Sequence, residues 1–213
     1  MKSPADFVQP PRIAAWLVNL FTPTEEAESI PGDLLEEFSQ LASKSGASVA
    51  RSWYWRQTAK TIAHLAATGF RVAPWSTAAA IVGGFLLRHF VSLLPERAIF
   101  AVLHRYQVFD HHFNAYVFFA TDGIAMGHVI ASMFVGCVVA LVAKGREMVA
   151  TMTLGLVLCA MIVASLLLRA ARGHDVTTWV WLPWETADWL AIVVGGVIVR
   201  TLRPASPTRP RTT

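Results

Sequence analysis

The residues whose types and spacing best suit chemistry cluster in "PERAIFAVLHRYQVFDHHFNAYVFFATDG". There His104, Asp110, His111 and His112 fall within nine positions. Imidazole nitrogens and carboxylate oxygens ligate zinc and other transition metals. The chain has no HExxH and no paired Cys/His spacing, however, and side chains adjacent on a helix or strand point in different directions. His104, His111 and His112 are therefore weak metal candidates, a wet interfacial cluster is the better account, and no cofactor is expected. Nucleophilic and phosphate chemistry fare no better, because GxSxG, GxxxxGK and GxGxxG are all missing. The expectation is a protein that is not an enzyme, in which any ATP-driven step belongs to another subunit.

The elements that would position such residues are set by composition. Apolar residues make up 54% of the 213 and charged residues 15%, well below the roughly 25% charged of soluble domains. Four runs approach the roughly 20 residues needed to cross hydrocarbon: 72–94, 123–143, 148–168 and 186–202. The third carries no charge. The first spans if Arg88 and His89 snorkel to one interface, and the fourth if Asp188 and Arg200 sit at opposite surfaces. Arg88, His89, His128, Ser132 and Thr153 are the polar groups available inside a bundle. Gly83-Gly84 and Gly195-Gly196 suit close helix approach. Cys137 and Cys159 lie within apolar runs as inert thiols. The segment 95–122 reads as an amphipathic outer loop, with Ile99, Phe100, Val102, Leu103, Tyr106 and Phe109 on one broad face and "NAYVFFA" turned toward the bundle. Trp179, Trp181, Trp184 and Trp189 suit an aromatic belt. The net charge of +4 is dispersed, which argues against nucleic acid. Lys and Arg are biased to one side of the spans, which places both termini in the cytoplasm. No signal peptide is read, so the first span would serve as targeting signal.

Residues 1–70 read as a small helical module. Ile13, Trp16, Leu17 and Leu20 recur at helical spacing after Pro10-Pro11. Thr22, Pro23 and Glu25 form a capping box, as do Asp33 and Glu36 ahead of a stripe of Leu34, Leu35, Phe38, Leu41 and Ala42. Gly46 is placed to end that helix, and a third runs from about Ala47 to Ala67. Within it, "ARSWYWRQTAK" sets Trp53 and Trp55 about 200° apart. One tryptophan then packs under the first two helices, while the other, with Tyr54, faces the membrane interface, and Arg51, Arg56 and Lys60 meet lipid phosphates. Residues 203–213 read as a disordered basic tail.

The stretches "PPRIAAWLVNLFTP" and "ESIPGDLLEEFSQLASKSGASVARSWYWRQ" closely resemble the permease prefix domain of acidobacterial duplicated orphan permeases, which belong to the ABC-exporter-type permeases. The matching positions are Pro11, Arg12, Trp16, Leu17, Gly32, Asp33, Leu34, Glu36, Glu37, Phe38 and Trp53 through Gln57. The resemblance spans about residues 10–60; beyond it the chain has no room for the long permease repeats and large extracytoplasmic domains of that family. It implies a bacterial inner-membrane protein with a cytoplasmic prefix module.

The expected fold is therefore all-α, a cytoplasmic three-helix module followed by a four-helix transmembrane bundle. The leading function is an accessory or regulatory subunit of a larger membrane assembly such as a permease-type transporter. Its interaction or anchoring residues would be Trp53, Tyr54, Trp55, Arg56, Asp33, Glu36 and Glu37. Its partners would be membrane lipids and a membrane protein or a second copy. The alternatives are a small transporter component that forms a solute pathway itself and, more weakly, a metal-dependent membrane enzyme.

Overall fold

The computed structural model describes residues 8–23, 26, 29–72, 74–143, 145–172 and 182–202, and among these the fold is all-helical. Two compact units divide next to Pro74. The first holds α1 (Arg12–Phe21), α2 (Ser29–Ser45) and α3 (Ala47–Val72). Pro10-Pro11 precede α1, whose first bond runs from the Ala15 N–H to the Pro11 carbonyl at 3.0 Å. Thr22 closes this helix and does not open the next: its N–H and its hydroxyl both donate to the Val18 carbonyl, at 2.9 and 2.7 Å. Glu25 of the expected capping box lies outside the described residues. α2 starts four residues before Asp33, so Asp33 does not cap it. Pro31 is tolerated at that point because first-turn amides have no acceptor within the helix. Gly46, at φ +86°, takes the left-handed turn that ends α2 and lets α3 begin.

One stripe from each helix builds the first core: Ala14 and Val18, Leu34 and Phe38, Ala50 and Tyr54, each pair four residues apart. The Phe38 and Tyr54 rings meet edge to face at 5.6 Å. This corrects two expectations. Tyr54, and not a tryptophan, enters the core at 2% exposure; Trp53 flanks it half-buried and Trp55 is 43% exposed. On α1 the larger residues Ile13 and Trp16 point outward, 65% and 47% exposed, because the small Ala14 admits α2 and α3 more closely.

The second unit contains α4 (Pro74–Val91), α5 (Leu93–Arg105), α6 (Val108–His111), α7 (Phe113–Phe118), a π-helical turn (Phe119–Gly123), α8 (Ile124–Val142), α9 (Glu147–Ala171) and α10 (Leu182–Leu202). Pro74–Arg105, Phe113–Val142, Glu147–Ala171 and Leu182–Leu202 are each long and apolar enough to cross a bilayer. The chain is an integral membrane protein on this ground. Residues 95–122 are largely helical: α5 prolongs α4, and α7 with the π turn prolongs α8. Pro95 falls in the first turn of α5, where a missing N–H is harmless, so the helical stretch continues through it to Arg105.

Small residues set the bundle. α8 and α10 run parallel and so close that a Cβ on Gly136 would strike the Ile192 carbonyl, and one on Gly195 would strike the backbone of Met133 and Cys137. α9 lies antiparallel to α10, with Thr151 against Gly196. Gly84 brings α4 onto Val139 and Leu154. Around these contacts Val135, Val139, Leu154 and Ile192 are fully buried, while many Leu, Val and Phe side chains face outward as lipid requires.

G136A and G195A are expected to destabilise the bundle by about 1–3 kcal/mol, since backbone must move to admit the methyl. G83A, whose Cβ would meet nothing within 4 Å, is expected to be neutral or stabilising by up to about 1 kcal/mol through helix propensity. Unfolding titrations in micelles measure both, and equal effects at positions 83 and 195 would contradict the packing described. In the first unit, burial raises the Tyr54 phenol above its ordinary 10.0. Its native state therefore holds the proton more tightly than the unfolded chain, and that contribution to stability is full below pH 10.0 and lost as pH rises through the native value. Y54F is expected to remove this alkaline loss, as read from the absorbance of phenolate and from melting across that range.

Candidate functional site

The close parallel register of α8 and α10 places Ser132 against Asp188 at the offset of 56 residues that Gly136 and Ile192 also keep. The Ser132 hydroxyl donates to Asp188 Oδ1 at 2.5 Å, and Arg88 from α4 pairs through Nη2 with Asp188 Oδ2. Asp188 is buried, so its carboxylate is held by one charged and one neutral donor within the bundle. Arg88 lies 14 residues beyond Pro74 and Asp188 six beyond Leu182, about 21 Å and about 9 Å along their helices. The pair therefore lies more than one turn inside the first residue of each helix. Arg88 is thus turned toward a carboxylate of the bundle, and Asp188 is buried among its helices. Pairing inside the bundle satisfies both charges at lower cost than exposing either to lipid.

A second polar contact closes the same end. Pro95 packs against Gly127, where any Cβ would strike its ring. The next residue, His128, reaches the Ser92 carbonyl at the α4–α5 junction through Nε2 at 2.9 Å. A carbonyl only accepts, so Nε2 carries the proton. Between these contacts a cleft of about 260 Å³ opens, lined by Arg88, Thr121, His128, Trp184, Glu185 and Asp188 among others. The π turn supplies Thr121, and such turns recur at functional sites. Glu185 is exposed at this cleft, one helical turn before Asp188.

At the far end of the bundle Glu147 is 2% exposed; its Oε1 accepts from the Gly145 N–H at 3.0 Å and its Oε2 lies 4.0 Å from Arg200 Nη1. α10 therefore carries a partnered charge near each end, 12 residues or about 18 Å apart.

The other candidates stay apart. His104 ends α5, and His111 and His112 end α6. Among the described residues no three His, Cys, Asp or Glu groups are arranged to hold a metal. His89 is exposed beside Phe90, and Thr153 bonds back to the Val149 carbonyl at 2.7 Å within its own helix. Trp179 and Trp181 lie outside the described residues. On the first unit Asp33, Glu36 and Glu37 are exposed along α2, and Trp55 and Arg56 are exposed on α3. Sequence reasoning missed Asp188 as the partner of Arg88, and Glu147 as that of Arg200. One signal was available: two lone charges of opposite sign, each displaced inward from the end of an apolar run. Compared with protein-family models, curated proteins and solved structures, the chain matches none.

Removing one partner of the buried pair strands the other, so D188A and R88A are each expected to cost about 3–5 kcal/mol. S132A, which removes a hydrogen bond to a charge, is expected to cost about 1.5–3 kcal/mol. The double variant R88A/D188A should lose less than the sum of its parts. Unfolding of all four proteins in micelles measures the coupling, and additive losses would show that the two residues do not depend on each other.

Proposed function

We propose that this membrane protein is an accessory or regulatory subunit of a larger membrane assembly, a permease-type transporter in a bacterial inner membrane, with both termini cytoplasmic and no catalysis of its own. The observation that carries this reading is the dry layer of Val135, Val139, Leu154 and Ile192 between the Arg88–Asp188 cleft and the Glu147–Arg200 pair. A pathway needs polar groups or water along its length, and such a layer admits neither. A single copy of this bundle then serves another protein's transport and does not conduct. The partner class rests on the resemblance of Pro11–Gln57 to the permease prefix domain. Asp33, Glu36 and Glu37, exposed on one helix, suit contact with a basic surface of that partner. The cleft with His128 and Glu185 favours a second reading, a transporter component that binds a small solute at one end of the bundle.

Purification in mild detergent, followed by mass spectrometry of what comes with the chain, separates the two. A stoichiometric permease-type partner is expected, and D33K/E36K/E37K should release it with the bundle intact. A homo-oligomer free of partners that moves a solute in liposomes would overturn the accessory reading in favour of the second. Labelling of cysteines introduced at Gly145 and Pro207 is expected from one side only, the cytoplasmic one.

A further inference from the structure

α1 carries two apolar faces, of which the core uses only one. Ala14 and Val18 point inward, while Ile13 and Trp16 stay exposed on the outside. Beside them lies a cleft of about 420 Å³ lined by Gln9, Pro10, Pro11, Arg12, Arg51 and Trp55. Two arginines and an indole line it, and among the described residues no carboxylate does. The same segregation extends over the whole unit. α1 and α3 together hold Arg12, Arg51, Arg56, Lys60 and Arg71 with no Asp or Glu, whereas α2 holds Asp33, Glu36 and Glu37 against Lys44. The unit is thus basic on the α1 and α3 side and acidic on α2. Uncovered apolar side chains interleaved with arginine are the composition of an interfacial membrane surface.

We propose that the α1–α3 face of the first unit docks on an anionic phospholipid surface, with a headgroup phosphate between Arg12 and Arg51 and with Ile13, Trp16 and Trp55 entering the interface. The occupant follows from charge complementarity and from continuity of the chain: one residue, Ala73, separates α3 from a helix able to cross the bilayer, so headgroups are always at hand. Arginine matches phosphate oxygens with a two-pronged donor set, and indole favours the headgroup layer. Arg51 lies 21 residues before Val72, about 32 Å along the axis. On α3, Arg51, Trp55, Ile62, Ala66 and Phe70 fall within about 100° of arc, a continuous strip free of acid. This inference rests on membrane insertion alone and not on the accessory role.

Amide hydrogen exchange of the full-length chain tests it, in nanodiscs of phosphatidylcholine alone and in nanodiscs that also contain phosphatidylglycerol. Exchange in α1 and the first half of α3 should slow severalfold when the anionic lipid is present, while α2 stays unchanged as an internal control of folding. R12E/R51E, and R12Q/R51Q should the first variant disturb α2, are expected to return exchange to the phosphatidylcholine level. Each arginine at an anionic surface contributes roughly fivefold, so the pair contributes on the order of twenty-fold. Equal exchange in both lipids overturns the proposal, and so does slowing that the variants leave intact. Slowing by inorganic phosphate in phosphatidylcholine nanodiscs, without anionic lipid, would make free phosphate the ligand and overturn the lipid assignment. Because no partner protein is present, failure here leaves the co-purification result standing, and the reverse also holds.

Discussion

The parallel contact of α8 with α10 is the constraint on which the second unit depends. Apolar tails of lipid compete on equal terms with apolar side chains, so helices in a bilayer associate through close packing and polar contacts more than through the hydrophobic effect. Gly136 and Gly195 let two backbones touch, and the register so fixed carries Ser132 to Asp188 one turn away. Asp188 in turn has an oxygen free for Arg88, which draws in α4. α4 has little else to hold it beyond Gly84 and a few side chains such as Ile81 and Leu87 against the core. The polar lock thus follows from the glycines. Reversing the order fails, because an ion pair alone fixes neither the rotation nor the depth of two helices.

The same division of labour explains the bent end of the bundle. Pro95 cannot donate to the preceding turn, and Gly127 opposite it leaves room for the ring. His128 then supplies from α8 a donor for the Ser92 carbonyl at the junction. In hydrocarbon an irregular backbone is tolerated only where protein or water satisfies it. Here a side chain does so, and the cleft lined by Arg88, Thr121 and His128 lies beside it.

Much of this was legible in the chain, for physical reasons that differ by element. The four spans were readable because length and apolarity alone decide whether a helix crosses hydrocarbon. Gly46 was readable because few residues accept a left-handed turn. The identity of the α1 core was not. Ile13 and Trp16 are the larger apolar residues of the first turns of α1, but the buried positions are Ala14, Val18 and Leu20, since close approach of three helices rewards small volume over large area. Tyr54 took the central place, with Trp53 packed half-buried beside it, for a related reason: the stripe Ala50, Tyr54, Thr58 is set by the turn of α3 against α2, which no local period reports. The pairing of Arg88 with Asp188 spans 100 residues. Hydropathy treats each charge as a local cost to be relieved at the nearest surface, and so it sends both outward. Only the tertiary register reveals that each is the other's relief.

The position of the charges along α10 then limits what the bundle can do. Asp188 and Arg200 have opposite signs near opposite ends of one helix, and each meets its counter-charge on a neighbour. Between them the helix presents Ala191, Ile192, Gly195 and Gly196, all buried and none with a side-chain polar atom. Over the about 18 Å between them the only side-chain polar groups that the described neighbours bring against α10 are the Thr151 hydroxyl at Gly196 and the Cys137 thiol at the Gly195 carbonyl, and neither carries a charge. Conduction within a single copy would require α4 or α9 to leave α10, which would break an ion pair at one end or the other. The arrangement therefore favours a bundle that holds its shape while its ends and its surface meet lipid or another protein. The cleft beside Asp188 is a place where a polar group from outside can approach that lock.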